Sequence, residues 1–242
     1  SLVDAAIFRT ALNSERFFDF DRAIVLYLRL VDNYPKSEFR ADATYNAALA
    51  LENRQQYDVA AKQYLRYCEL FPTRDDAPEV CFRAGLVYEK MNKQQAVIES
   101  YRAYISKYRS NTRYTDRIIE AHIRIATALG MLGRKDQALD ELKAAVNVYG
   151  TVKDPVVLQK SAAFSAEAEY KLIESESEAF DAMAIVGDSK KQQEVLVAKA
   201  ARLQEIQAKF EKIHRFKHIE WTLASLYRIG RLYENFAESL NK

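Results

Sequence analysis

The sequence predicts an all-α protein: a solenoid of helix–turn–helix hairpins with longer C-terminal helices. Three observations carry that prediction. Glycine and proline total only ten in 242 residues, about a third of the usual share, and sandwiches, barrels and doubly wound sheets need many tight turns. Apolar residues make up 49% and charged residues 29%, enough for a continuous core and unlike a disordered chain. Tyr27, Tyr64 and Tyr101 recur at a fixed interval of 37 residues, and internal repetition at such a period marks stacked units.

The second helix of each unit repeats most clearly. Ala23, Ala60 and Val97 keep the interval, as do Leu30, Tyr67 and Tyr104, and then Tyr34, Phe71 and Tyr108. Pro35 and Pro72 follow the last aromatic, with Arg109 in that place in the third copy. A fourth copy is offset by 41 residues: Ala138, Leu142, Ala145 and Tyr149, with Gly150 as the helix stop. Spacings of four, three and four trace one stripe of a helix. The first helix of each unit carries a recurring small residue, Ala11, Ala48, Gly85 and Ala126, where two helices can approach closely. Turns are expected at 17–21, 53–57, 91–94 and 133–136. One hairpin cannot bury its own apolar face, but stacked hairpins can.

After Gly150 the spacing fails, which divides the chain into four hairpins (1–150) and an extended section (151–242). Asp154-Pro155 reads as an N-cap followed by proline in the first turn. A helical pattern then runs to Val186. Gly187-Asp188-Ser189 ends it, and Ser189 with Gln192 reads as a capping box for the next helix. That helix carries Leu196, Leu203, Ile206, Phe210 and Ile213, a seam that either packs on the preceding helix or recruits a second chain. Trp221 to Leu240 again reads as the first helix of a unit, with Gly230 in the small-residue place. It either caps the stack or leads into further chain.

With these motifs the chain resembles the tetratricopeptide repeat family. That family places small residues at the Ala48/Ala60 and Gly85/Val97 positions, an aromatic at Tyr64 and Tyr101, and proline at Pro35 and Pro72. The resemblance covers residues 4 to about 150 and implies a right-handed superhelix. The period is the departure, since the family unit has ~34 residues and about three extra residues follow Pro35 here. The segments Tyr34-Pro35-Lys36-Ser37 and Ala41-Asp42-Ala43-Thr44-Tyr45 resemble bacterial cell-envelope members, outer-membrane assembly lipoproteins and Tol-Pal-associated coordinators. Leu226 to Glu234 is also similar to repeat proteins of gliding and predatory bacteria. The resemblance implies a periplasmic or outer-membrane-associated protein, with a cytoplasmic one as the alternative.

Several function classes find no support. The 36 basic and 34 acidic residues leave a net charge of +2, no footprint for nucleic acid or an anionic membrane. No apolar run approaches the ~18 residues of a membrane span. The sequence starts at Ser1 without a basic-then-apolar leader, so any signal peptide is expected to have been removed or to lie outside it. His214 and His218 lie four apart, as metal ligands on one helix would, but Arg215 stands where a metalloprotease has its glutamate, and no metal or cofactor is expected. His122 reads as a packed structural histidine. Asp75-Asp76 and Glu174, Glu176 and Glu178 read as turn and solvated-face residues. No phosphate loop or nucleophile elbow occurs, so no enzyme is expected. Cys68 and Cys81 are expected as two buried thiols, although a bridge is open if their Cα atoms come within ~7 Å.

The resemblance also implies a concave face lined by the first helix of each unit. Three residues before the small position and one after it stand Phe8 and Leu12, Tyr45 and Leu49, Phe82 and Leu86, Ile123 and Thr127, then Tyr227 and Arg231. Beside each first member stands Arg9, Asn46, Arg83, Arg124 or Arg228. One reading is inter-repeat packing. The other is a groove of apolar pockets and guanidinium forks for a partner peptide or protein bearing acidic residues. On that second reading Arg83 and Arg124 should be uncommitted to the chain's own carboxylates. A carboxylate clamp is not expected, because apolar residues occupy the places where clamp members carry lysine and asparagine. Two functions follow: an interaction scaffold whose partner is another envelope protein, or a homodimerising module joined through its long C-terminal helices.

Overall fold

The computed structural model describes residues 2–240, which form eleven α-helices and two short 3-10 turns. No strand occurs among the described residues. The chain separates into two compact units, one of residues 1–110 with 127–133, the other of residues 111–126 with 134–242.

In the first unit the hairpins are α1 (Leu2–Arg16) with α2 (Phe20–Asn33), α3 (Arg40–Asn53) with α4 (Tyr57–Leu70), and α5 (Ala77–Lys90) with α6 (Gln94–Tyr108). The principal contacts run between consecutive helices, as expected of a solenoid in which each unit touches its neighbours. The turns fall where the repeat places them, and a backbone device explains why they are so short. Phe18, Gln55 and Asn92 each adopt a left-handed conformation, with φ of 60°, 59° and 53°. The next N–H reaches back five residues, from Asp19 to Ser14, Gln56 to Leu51 and Lys93 to Tyr88, which is the Schellman closure of a helix C-terminus.

Tyr27, Tyr64 and Tyr101 are completely buried, as the repeat predicts. The small positions explain how they fit. A Cβ on Gly85 would lie 2.5 Å from the ring of Tyr101, so glycine is required there to let the ring seat against the α5 backbone. Ala11 and Ala48 are likewise wholly buried.

Cys68 and Cys81 are bonded as a disulfide with a Cα–Cα distance of 5.6 Å, which corrects the expectation of two thiols. The α4–α5 connection brings the two helices together at that level, well within the reach of a bridge.

In the second unit lie most of α7 (Thr115–Met131), then α8 (Lys135–Gly150), α9 (Pro155–Asp181), α10 (Ser189–Lys212) and α11 (Ile219–Leu240). Asp154 caps α9, its carboxylate accepting from the Val156 N–H at 2.8 Å. Helix α9 stops at Asp181, five residues before the expected Val186. The cap of α10 is Asp188, which accepts from the Lys191 N–H at 2.8 Å, not Ser189. The Gln192 side chain instead donates to the Gly187 carbonyl. The α10 seam is spent inside the chain: Leu203, Ile206, Phe210 and Ile213 are buried in one cluster with Ile173 and Phe180 of α9 and Leu232 of α11.

Candidate functional site

The repeated tyrosines position a repeated carboxylate. The hydroxyl of Tyr27 donates to Glu15 at 2.8 Å, that of Tyr64 to Glu52 at 2.8 Å, and that of Tyr101 to Glu89 at 3.0 Å. Each acceptor sits twelve residues before its tyrosine, near the end of the first helix of the hairpin. Burial pushes the Tyr27 and Tyr64 hydroxyls well above the ordinary tyrosine range, and the neighbouring glutamate pushes them further.

Glu52 is the centre of the most developed of these clusters. Besides Tyr64 it accepts from Arg83 Nε at 2.8 Å and Lys90 Nζ at 2.7 Å, and its side chain is only 6% exposed. Burial by itself raises its pKa, but hydrogen bonds from Arg83, Lys90 and Tyr64 outweigh that and hold it below the usual carboxylate range. Arg83 also lies over the Tyr64 ring. Asn46, in the same register one repeat earlier, donates to the Tyr27 hydroxyl at 3.4 Å. This position therefore reaches back to the tyrosine–glutamate pair of the preceding hairpin. The signal for it was present in the sequence as Glu15, Glu52 and Glu89, a further set at 37 residues.

That geometry corrects the expectation of free guanidinium forks. Arg83 is held by Glu52. Arg124 donates to Glu120 through Nε and Nη2, at 2.8 and 2.7 Å. Arg228 is buried and donates to Glu174 and Asp181. A guanidinium in a partly dehydrated place needs a carboxylate, and in each case the chain supplies its own. Phe82 and Ile123, read as groove walls, are core residues at 1% and 4% exposure, and Phe82 packs on Tyr101 and Tyr104.

Other residues of the proposed wall remain within reach of solvent. In the first unit, Phe8 and Leu12 on α1, Tyr45 and Leu49 on α3, and Leu86 on α5 are half-buried, and Arg9 is exposed. Phe8 stacks on Phe39 at 4.9 Å, and Tyr45 leans on Tyr64 and Tyr67. Thr127 and Tyr227 are exposed, as is Arg231.

Several of the other chemistry-bearing residues are engaged in structure. His122 Nδ1 lies 2.7 Å from Glu141. Asp76 accepts from the Tyr67 hydroxyl at 2.6 Å and from Arg74. Glu174 binds Arg228, and Glu176 accepts from Arg202 and Lys209, so these carboxylates are more than a solvated face. Lys199, 1% exposed, donates to the Met183 carbonyl and Asn235 at 2.8 Å each and lies over the Phe180 ring. It ties the end of α9 to α10 and α11. Among the described residues no group of three or more His, Cys, Asp or Glu is arranged to hold a metal ion. No helix among them is long and apolar enough to cross a membrane.

Residues 5–37 match the tetratricopeptide repeat. That segment holds most of α1, all of α2 and the turn at Pro35. A tetratricopeptide-repeat protein from Bacteroides fragilis shares the architecture, with a TM-score of 0.54 and 10% identity over 97% of this chain and 98% of its own. At that identity the likeness shows the fold alone. A MamA protein aligns with a TM-score of 0.44 and 17% identity, over 82% of this chain and 94% of its own. Tetratricopeptide-like repeats of a kinesin light chain from Podospora anserina align at 0.44 and 14%, over 86% and 97%. No curated protein matches the chain.

Proposed function

We propose that the chain is a non-enzymatic scaffold that holds a protein partner along the first helices of its N-terminal hairpins, within a bacterial cell-envelope complex. The observation that carries this reading is the row Leu12, Leu49 and Leu86. These leucines share one register on α1, α3 and α5 and stay half-buried while their neighbours at the small positions are sealed in the core. Half-exposed leucines repeated at one interval form an apolar ladder, which suits the alternate side chains of an extended peptide or one face of an amphipathic helix. Phe8 and Tyr45 border the ladder, and Arg9 and Asn46 supply polar contacts at its rim. Arg83 serves the scaffold by joining its hairpin to the preceding one through Glu52.

The Cys68–Cys81 bridge supports the envelope placement, since disulfides persist in oxidising compartments and are rare in the cytosol. Trapping free thiols in intact cells tests that part: the pair should resist alkylation until reductant is added. Alkylation without reductant, or a gene lacking any export signal, counts against it.

The ladder is tested by capture from native envelope extract with the wild-type chain and with Leu49→Glu/Leu86→Glu. The expected result is a partner, identified by mass spectrometry, that the double variant loses while its helicity is unchanged. Val25→Glu, on an exposed α2 position, should retain that partner. Equal capture by the double variant would show that the partner uses another face.

A further inference from the structure

The Cys68–Cys81 bridge joins α4 to α5, the last helix of one hairpin to the first helix of the next. Its surroundings differ from those of the same place one repeat earlier. At that earlier junction the corresponding residues are Val31 and Thr44, both without exposed surface. Ordinary side chains therefore close a junction of this kind, and packing alone does not call for a covalent bond. The two cysteines are also less completely covered, at 8% and 7% exposure.

A second pair of residues changes in step with the cysteines. Lys107 and Tyr108 end α6, at the places that Leu70 and Phe71 hold one repeat earlier. Lys107 Nζ donates to the Cys68 carbonyl at 2.9 Å, which brings its charge to the backbone of that cysteine. The Tyr108 hydroxyl lies 3.3 Å from Cys81 Sγ. A disulfide sulfur has no hydrogen, so the hydroxyl is the donor. Lys107 also lies over the Tyr108 ring, 5.6 Å from its centre. The Val31/Thr44 register is thus matched with Leu70 and Phe71, whereas a cation and a hydroxyl come with the cysteines. A neutral disulfide gains little from either donor. A thiolate gains from both, because cationic and hydrogen-bonding neighbours stabilise that form.

We infer that the bridge is a thiol-exchange site, opened by a dithiol reductant and closed again by that reductant's disulfide. The incoming thiolate attacks Cys68 Sγ, because the Tyr108 hydroxyl sits on Cys81. The S–S bond breaks, its electron pair passes to Cys81 Sγ, and the Tyr108 O–H holds the new thiolate. Cys68 and the reductant are then joined as a mixed disulfide. The reductant's second thiolate attacks its own sulfur in that bond and releases Cys68. Two electrons pass to the protein and the reductant leaves as a disulfide, its protons going to the cysteines or, for a thiolate, to solvent. Stabilising the reduced pair makes the bond easier to reduce. In the open form α4 and α5 are held by packing and chain connection alone.

Redox titration of the folded chain with reduced and oxidised glutathione tests this, with free thiols counted by alkylation and mass. A reversible transition is expected without denaturant, whereas purely structural disulfides resist the glutathione couple. The double variant Lys107→Leu/Tyr108→Phe gives the bridge the residue types of the preceding repeat. It should make the bond about tenfold harder to reduce, the effect of losing a hydrogen bond to a charged group. Tyr108→Phe alone, which keeps the ring, should shift the midpoint in the same direction. Amide hydrogen exchange should quicken in α4 and α5 on reduction and stay unchanged in α1. A bridge that stays closed at every glutathione ratio until the chain unfolds overturns the inference. So does a midpoint indifferent to both variants.

Discussion

Tyr64 and Glu52 show what a single repeated residue contributes. Tyr64 has no exposed surface, so Tyr64→Ala removes a ring from a packed interior and should cost roughly 3–5 kcal/mol. Tyr64→Phe keeps the ring and leaves Glu52 with its two cations, so a loss of about 1–2 kcal/mol is expected. Urea titration of both variants separates packing from hydrogen bonding, and equal losses would overturn this division. The pH dependence follows from the same pair. Glu52 has its pKa held below its ordinary value of 4.5, so its contribution is present above pH 4.5 and is lost as pH falls through the depressed value. Tyr27, Tyr64 and Tyr67 have theirs raised above 10.0, first by burial and then by their acidic partners. Their contribution is present below pH 10 and declines as pH climbs beyond it. Glu52→Gln should flatten the acid limb and shrink the alkaline limb only by the part of the Tyr64 rise that Glu52 supplies, which melting curves across pH can check.

At the scale of the helix, contact between neighbours decides what each position tolerates. Gly85→Ala places a methyl against the Tyr101 ring, and overpacking of this kind costs about 1–3 kcal/mol. Gly130→Ala, with nothing within 4 Å, should instead stabilise α7 by up to about 1 kcal/mol, because alanine is the better helix former. Opposite signs in thermal unfolding are the expected outcome. The disulfide joins α4 to α5 across a separation of 13 residues. A loop of that size restricts the unfolded chain by about 3 kcal/mol, so reductant should lower the melting temperature by several degrees. It should leave the Cys68→Ala/Cys81→Ala variant unaffected.

Over the whole chain, contacts run chiefly between consecutive helices and gather into two compact units. Cooperativity in such an array weakens with distance along the chain. Unfolding is therefore expected in more than one step, with helicity and tyrosine fluorescence reporting different midpoints. Coincident transitions from both probes would show that the units melt as one.

The sequence by itself determined the hairpins. A tyrosine every 37 residues opposite a small residue can be satisfied only by two helices pressed together, so Tyr27/Ala11 and Tyr64/Ala48 were legible without coordinates. The ends of α9 and α10 were less so, because Asp188 and Ser189 are both good caps and only backbone geometry chose between them. The candidate surface was legible as a register but not as chemistry. Spacing places Phe8, Phe82, Arg9 and Arg83 on corresponding positions, yet Phe8 is half-buried and Phe82 sealed, and Arg83 is claimed by Glu52 of the preceding hairpin. Such pairings join residues 31 apart, and no local pattern reports which charge a folded chain brings to which. The same holds for the disulfide, since two cysteines 13 residues apart can be thiols or a bridge until the packing of α4 on α5 sets their distance. Periodicity fixes which residues share a face, while burial and partner choice arise only when faces meet.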